Sequence, residues 1–307
     1  MEVFAVKHKD KTVVDNSRSG GIFTALSDLF LEEGKVYGCI LNEKLEAVHI
    51  GTSDITVRNK MRGSKYVQSN LGDCFSSVLE DLNNNKKVMF SGTSCQIAGL
   101  KCFLQKDYPN LLCVDIVCHG VPSPKVFKSY LESYGTVSSI DFRNKKDFGW
   151  RDHVETLTVG DKRLNRKIWA NIFYSGNALR PSCYECQYKS TSHPGDITIA
   201  DYWGIEKVAP EFDDNNGVSL VLINTDKGKK FFDNIKNAID FKVTNIEDSM
   251  QRAFIRAEYR PETREQFWSD FETKSFKYVV QRYGGQTSII RKCFRKIKSG
   301  IKMIIKK

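Results

Sequence analysis

The chain has 307 residues, 40% of them hydrophobic, which suits one large domain or two that share a core. No apolar stretch approaches the ~20 residues needed to span a bilayer. The start, Met1-Glu2-Val3-Phe4, lacks the basic and apolar runs of a signal peptide, so the chain reads as cytoplasmic.

The net charge of +10 gathers at the end, where Arg291, Lys292, Arg295, Lys296, Lys298, Lys302, Lys306 and Lys307 stand with no acid among them. The nearly neutral remainder speaks against a nucleic-acid groove through the core. Nine cysteines with no export signal are either small buried hydrophobes or have chemistry to do.

Residues 3–7 predict a short strand. Ser19, Gly20 and Gly21 precede a helical pattern of Ile22, Phe23, Leu26, Leu29 and Phe30, which Gly34 stops. Glycines before a helix start let a phosphate approach free N–H groups, so this turn is a candidate phosphate seat as well as a plain helix start. The G-x-G-x-x-G spacing of a Rossmann turn is absent. Residues 35–41 predict a strand, with 47–51 pairing nearby. Residues 58–69 read as irregular chain, in which Lys65, Tyr66, Gln68 and Ser69 offer a cation, an aromatic ring and two hydrogen-bonding groups. A helix is expected over 71–83.

The middle is more regular. A strand at 87–91 runs into Gly92-Thr93-Ser94-Cys95, and a helix follows to about 105. The apolar run 111–117 ends in Cys118-His119-Gly120-Val121-Pro122-Ser123-Pro124, where another helix begins. This β-α-β-α succession predicts parallel neighbouring strands with Cys95 and Cys118 at one carboxyl edge, where open sheets hold ligands. Residues 140–143 and 155–159 predict strands, and 165–178 a helix. Then come Cys183-Tyr184-Glu185-Cys186, strands near 196–204 and 218–224, and a helix capped by Thr225 to about 238. Past residue 246 the chain turns helical, with Phe254, Phe267, Trp268 and Phe271 as aromatic anchors.

The expected fold class is α/β, a mixed and partly parallel sheet flanked by helices with a helical C-terminal extension. Residues 1–245 form the expected core and 246–307 the extension. The extension ends in a stripe of Ile290, Cys293, Phe294, Ile297, Ile301 and Ile304 with cations mostly off it. Such a basic amphipathic helix can lie on an anionic membrane at the inner face, or dock on protein.

Cys183 and Cys186 sit in a loop rather than at a helix start after a strand, which disfavours a redox dithiol. With Cys95 and Cys118 at strand ends, four thiolates suit an iron–sulfur cluster or a structural zinc. Cys39, Cys74, Cys102, Cys113 and Cys293 read as packing residues. His119 is either a proton relay, and so the catalytic candidate, or a hydrogen-bond donor to a cluster sulfur, or a loop histidine with a satisfied partner.

Together these motifs resemble the beta subunit family of coenzyme F420 hydrogenase and dehydrogenase. The resemblance is carried by residues 17–26, 65–69, 92–101 and 118–124, Phe142-Arg143 with Gly149-Trp150, and residues 183–204. It implies an FAD-binding core with a 4Fe-4S cluster on Cys95, Cys118, Cys183 and Cys186. The flavin would contact Ser19, Gly20, Gly21, Lys65, Tyr66, Gln68, Ser69 and Thr93. It implies an oxidoreductase that passes electrons between cluster, flavin and a small-molecule hydride acceptor, either coenzyme F420 or another molecule, as in polysaccharide biosynthesis. No cysteine precedes Cys39, so the ferredoxin-like segment common in the family is not seen and an external donor such as a ferredoxin is expected. Ser94 stands where proline is usual and Ala200 where glycine is usual; neither change removes a ligand. The competing expectations are a zinc-stabilised binding protein and a membrane-peripheral scaffold whose redox site has decayed.

Overall fold

Val3, Phe4, Ala5 and Val6 are all buried, the pattern of a strand covered on both faces. They belong to β1 (Glu2–His8) of the computed structural model, which describes residues 1–285. The next strands are β2 (Gly34–Leu41), β3 (Ala47–Thr52), β4 (Lys87–Thr93) and β5 (Leu111–Ile116). Then follow β6 (Val137–Asp141), β7 (Glu155–Val159), β8 (Lys162–Arg166), β9 (Ile197–Asp201), β10 (Ser219–Ile223) and β11 (Ile239–Thr244).

The main sheet has eight strands in the order β11-β1-β10-β9-β5-β4-β2-β3. Its centre, β2, β4, β5 and β9, is parallel; β3, β10, β1 and β11 join antiparallel. The mixed sheet is therefore as expected. Side chains alternate between two cores in the way a period of two requires. Leu112 and Val114 of β5 pack with Phe4, Val6 and Leu26 on one face, while Leu111 and Cys113 pack with Ile97 and Leu100 of the helix Ser94–Leu104 on the other. A three-stranded meander, β6-β7-β8, stands apart. Its Leu157 shares a third core with Trp169, Phe127 and the C-terminal helices Arg264–Thr273 and Phe276–Tyr283 through Phe267 and Val279. Among the described residues no helix is long and apolar enough to cross a membrane.

Several boundaries differ from expectation for local reasons. The helix expected over 165–178 is Ile168–Tyr174, because residues 162–166 instead return as β8 after a turn in which Gly160 takes φ +55°. The helix expected over 71–83 starts at Cys74, after Gly72 at φ +48°. The helix after Gly21 ends at Asp28, short of Leu29 and Phe30. The irregular stretch from residue 58 includes the end of a helix, Ile55–Lys60, whose cap Asp54 accepts from Thr56 N and Val57 N. Thr225 does cap its helix, accepting from Gly228 N at 3.0 Å, although that helix stops at Asn234. The basic stripe from Ile290 onward, with Cys293, lies outside the described residues.

Candidate functional site

The carboxyl ends of the parallel strands open into a cavity of about 1290 Å³. Ser91 and Thr93 of β4, Ile116 of β5, Ile199 and Asp201 of β9 and Cys39 of β2 all reach its wall. Of the residues singled out in the sequence, Ser19, Gly21, Lys65, Tyr66, Gln68, Ser69, Thr93, Cys95, Cys118 and His119 line it. Gly20, Cys183 and Cys186 do not. Gly20 sits behind the wall, where a Cβ would run into the Val6 carbonyl and Ser219 N, so its lack of a side chain serves the packing of β1 and β10. Gly21 holds φ +91° as the N-cap of the next helix, a conformation glycine reaches without strain.

The loop from Met61 to Ser69 is held from within. Lys65 Nζ donates to the carbonyls of Lys60, Arg62 and Gly63 at 2.8, 3.2 and 2.9 Å. That uses every donor of the ammonium, and burial draws its pKa down to about 8. Lys65 thus shapes the wall through the backbone. Trp169 Nε1 donates to the Tyr66 carbonyl at 3.1 Å and Gln68 N to the Pro122 carbonyl at 3.0 Å. Thr93 is the N-cap of the helix Ser94–Leu104 in a reciprocal box with Gln96. Gln96 Nε2 then donates to Ser69 Oγ at 2.9 Å, which joins the strand end to the loop.

β4 and β5 are in register with Thr93 opposite Ile116, so Cys95 and Cys118 each lie two residues past a matched pair. Cys95 occupies the first helical turn, with Thr93 Oγ1 3.1 Å from its sulfur. Cys183 falls in the short 3₁₀ turn Pro181–Glu185, and Cys186 follows it. A bridge between Pro122 and Leu179, with Arg180 N donating to the Val121 carbonyl at 2.9 Å, binds this turn to the Cys118 loop. Gly120 permits the approach: a Cβ there would touch Cys183 Cβ at 3.4 Å. Lys189 Nζ donates to the Cys118 carbonyl.

Burial pushes the Cys118 thiol up to about 12, opposed by Lys189 and reinforced by Cys183 and Cys95. Cys183 is raised by burial too, with Cys95 and Cys186 adding to it. Cys118 is thus within electrostatic reach of Cys183 and Cys95, and Cys183 of Cys95 and Cys186, and added positive charge would favour the thiolates of Cys118 and Cys183. Among the described residues no three ligating side chains gather around one point as for a single ion. None of these cysteines is in a disulfide. Of those read as packing residues, Cys74 and Cys113 are buried, but Cys102 is exposed and Cys39 reaches the cavity wall. The apolar neighbours of Cys102 in sequence do not reveal that its helix turns it outward.

His119 stands on the cavity wall with Nδ1 3.6 Å from Glu258 Oε1, and burial lowers its pKa. A more elaborate arrangement was not legible. Arg143 is buried and donates to Asp201 Oδ2 at 2.6 Å and to the Trp150 carbonyl at 2.5 Å. Trp150 Nε1 donates to Asp201 Oδ1 at 2.8 Å, and Trp203 stacks on Trp150 with ring centres 4.8 Å apart. The fragments Phe142-Arg143, Gly149-Trp150 and Asp201-Tyr202-Trp203 thus form one node of the wall, which only long-range contact reveals.

His49, also on the wall, is held neutral by burial, which lowers its pKa from 6.5 to about 4. Its folded pKa lies below the unfolded one, so its contribution is intact above pH 6.5 and is lost as pH falls toward 4. The loss amounts to about 3 kcal/mol. His49→Gln keeps a donor for the Ser91 carbonyl, which His49 Nε2 meets at 3.2 Å. Urea unfolding of this variant should lose less stability than the parent between pH 7 and pH 4; parallel profiles would refute the assignment.

A family model for the C terminus of the coenzyme F420 hydrogenase/dehydrogenase beta subunit matches residues 85–249. No curated protein matches. Among solved structures, a chain of the xenon-derivatised F420-reducing NiFe hydrogenase complex from Methanosarcina barkeri superposes with a TM-score of 0.56 at 19% identity. The superposition covers 96% of this chain and 93% of that one. At this identity the likeness concerns the fold.

Proposed function

Because the chain belongs to the coenzyme F420 hydrogenase/dehydrogenase beta-subunit family, and so to a family of oxidoreductase subunits, we propose that it is an iron–sulfur flavoprotein. The observation that supports this reading is a cavity at one end of the parallel strands, walled by Ser19, Gly21 and the 65–69 loop, with Cys95 and Cys118 on its wall and the Cys183 turn bridged to the Cys118 loop.

The residues fit both groups. Cys95, Cys118, Cys183 and Cys186 would hold a 4Fe-4S cluster, which takes one thiolate on each of its irons. Ser19, Gly21, Tyr66, Gln68, Ser69 and Thr93 would receive FAD, with Gly20 and Lys65 shaping the wall behind them. When bound, the flavin supplies hydride chemistry and the cluster single-electron transfer. The chain's own part is position and exclusion. The box of Thr93 and Gln96 fixes the helix start that carries Cys95. Lys189 and the Pro122–Leu179 bridge hold the Cys118 loop against the cysteine turn. His119, with Glu258 beside Nδ1, is the candidate for keeping a proton at the wall. We take residues 1–245 as the binding core and 246–307 as its extension.

The Methanosarcina barkeri chain comes from a hydrogenase complex; for this chain we take an external electron donor, such as a ferredoxin, as the source of electrons. Coenzyme F420 is the first acceptor to try. Reduced viologen added to the anaerobic protein should bleach the flavin, and F420 or, failing that, an alternative acceptor should then restore the flavin colour as it is itself reduced. Protein that accepts no electrons from viologen in any spectral band would overturn the oxidoreductase reading.

A further inference from the structure

Three cysteine-bearing segments meet at one histidine. His193 lies in the loop after Cys186, and its Nδ1 is 2.8 Å from Asp115 Oδ2 and 3.1 Å from Ser94 Oγ. Ser94 immediately precedes Cys95 in the first turn of its helix, and Asp115 belongs to β5 just upstream of Cys118. The side chains of His193 and Asp115 are 2% and 0% exposed. The other carboxylate oxygen, Oδ1, accepts from Thr198 Oγ1 at 2.6 Å. A carboxylate this deep requires partners, and His193 is one of the two side chains that supply them.

The three residue types suggest a hydrolytic triad, but the geometry does not. A triad places serine and carboxylate on opposite ring nitrogens, whereas here both meet Nδ1, and Ser94 is buried. With the ring proton on Nδ1, one N–H is shared between the carboxylate and the hydroxyl. Nε2 is buried with no protein partner, so all the polar anchoring of the ring passes through Nδ1.

We propose that His193 is the positioning residue of the cysteine site, clamping the helix start that carries Cys95 to the end of β5 that leads to Cys118. The inference rests on reading these cysteines as ligands of one group. It predicts which substitution rescues. An asparagine amide presents two N–H groups where Nδ1 stood and can serve both Asp115 and Ser94; alanine serves neither.

The test uses the full chain purified without oxygen, as His193→Ala and His193→Asn, with circular dichroism confirming that each is folded. One readout is the midpoint potential and visible spectrum of the bound cluster. The second is the rate of N-ethylmaleimide labelling at each cysteine in metal-stripped protein, followed by mass spectrometry. His193→Ala should label Cys118 about tenfold faster as the clamp opens, with Cys102 unchanged. It should also shift the potential, and His193→Asn should restore both. A folded His193→Ala that matches the parent in labelling and potential overturns the proposal. Should that variant not fold, Ser94→Ala removes one arm of the clamp and should accelerate labelling of Cys95 over Cys102; no acceleration counts against the clamp. If the parent takes up no iron or sulfide, the ligand reading fails by itself, while the labelling rates still decide the role of His193.

Discussion

Cys183→Ser should yield a folded protein that has lost almost all bound iron and the broad brown absorption of the cluster, leaving the yellow of the flavin, while Cys102→Ser keeps the parent's spectrum. The contrast follows from placement. Cys183 sits in the turn that the Pro122–Leu179 bridge holds against the Cys118 loop, and Gly120 leaves room for it. Cys102 is exposed on the helix Ser94–Leu104. A serine oxygen is a poor substitute for a soft thiolate on iron, and one lost ligand of four opens the cluster to solvent. Iron analysis beside the visible spectrum is the check. If both variants behave alike, the ligand assignment is wrong.

Arg143→Met should cost about 3–5 kcal/mol of stability, because it removes one partner of a buried pair and leaves the other charged. Arg143 and Asp201 have side chains 4% and 18% exposed, with nitrogen and oxygen 2.6 Å apart. The substitution strands Asp201 with Trp150 Nε1 alone and leaves the Trp150 carbonyl without its guanidinium donor. It also removes the cation 5.1 Å from the Trp203 ring. Pairing it with Asp201→Leu should recover a large part of the loss, since replacing both charges spares the uncompensated one. Denaturant unfolding of the single and double variants measures this. A change below about 1 kcal/mol in the single variant would mean the pair behaves as a solvated surface contact.

The two cases mark how far the residues could be read in order. β4, β5 and the helix between them were legible because apolar alternation, a Gly-Thr-Ser turn and an N-cap coincide over a short span. Their parallel pairing then followed from the rules of βαβ units, which brought Cys95 and Cys118 to one edge. β8 was not legible, because Lys162-Arg163-Leu164-Asn165-Arg166 is polar and half-exposed and owes its strand form to pairing with β7. The Arg143 node was hidden for a different reason. Its carboxylate partner Asp201 lies 58 positions away, and nothing local tells an arginine that it will be buried. His193 was passed over likewise: a histidine beside proline and glycine reads as loop until Asp115, 78 positions earlier, is seen against it. Lys65 lines the cavity and Gly20 stands behind its wall, but the observed contacts of both are with backbone, so the motif reported a position rather than a contact.

The most direct measurement is chemical analysis of the full chain purified without oxygen, for iron, acid-labile sulfide, flavin and zinc. Iron and sulfide in equal amounts, with a releasable yellow flavin, is the predicted result. A colourless protein that carries zinc and no sulfide would contradict it.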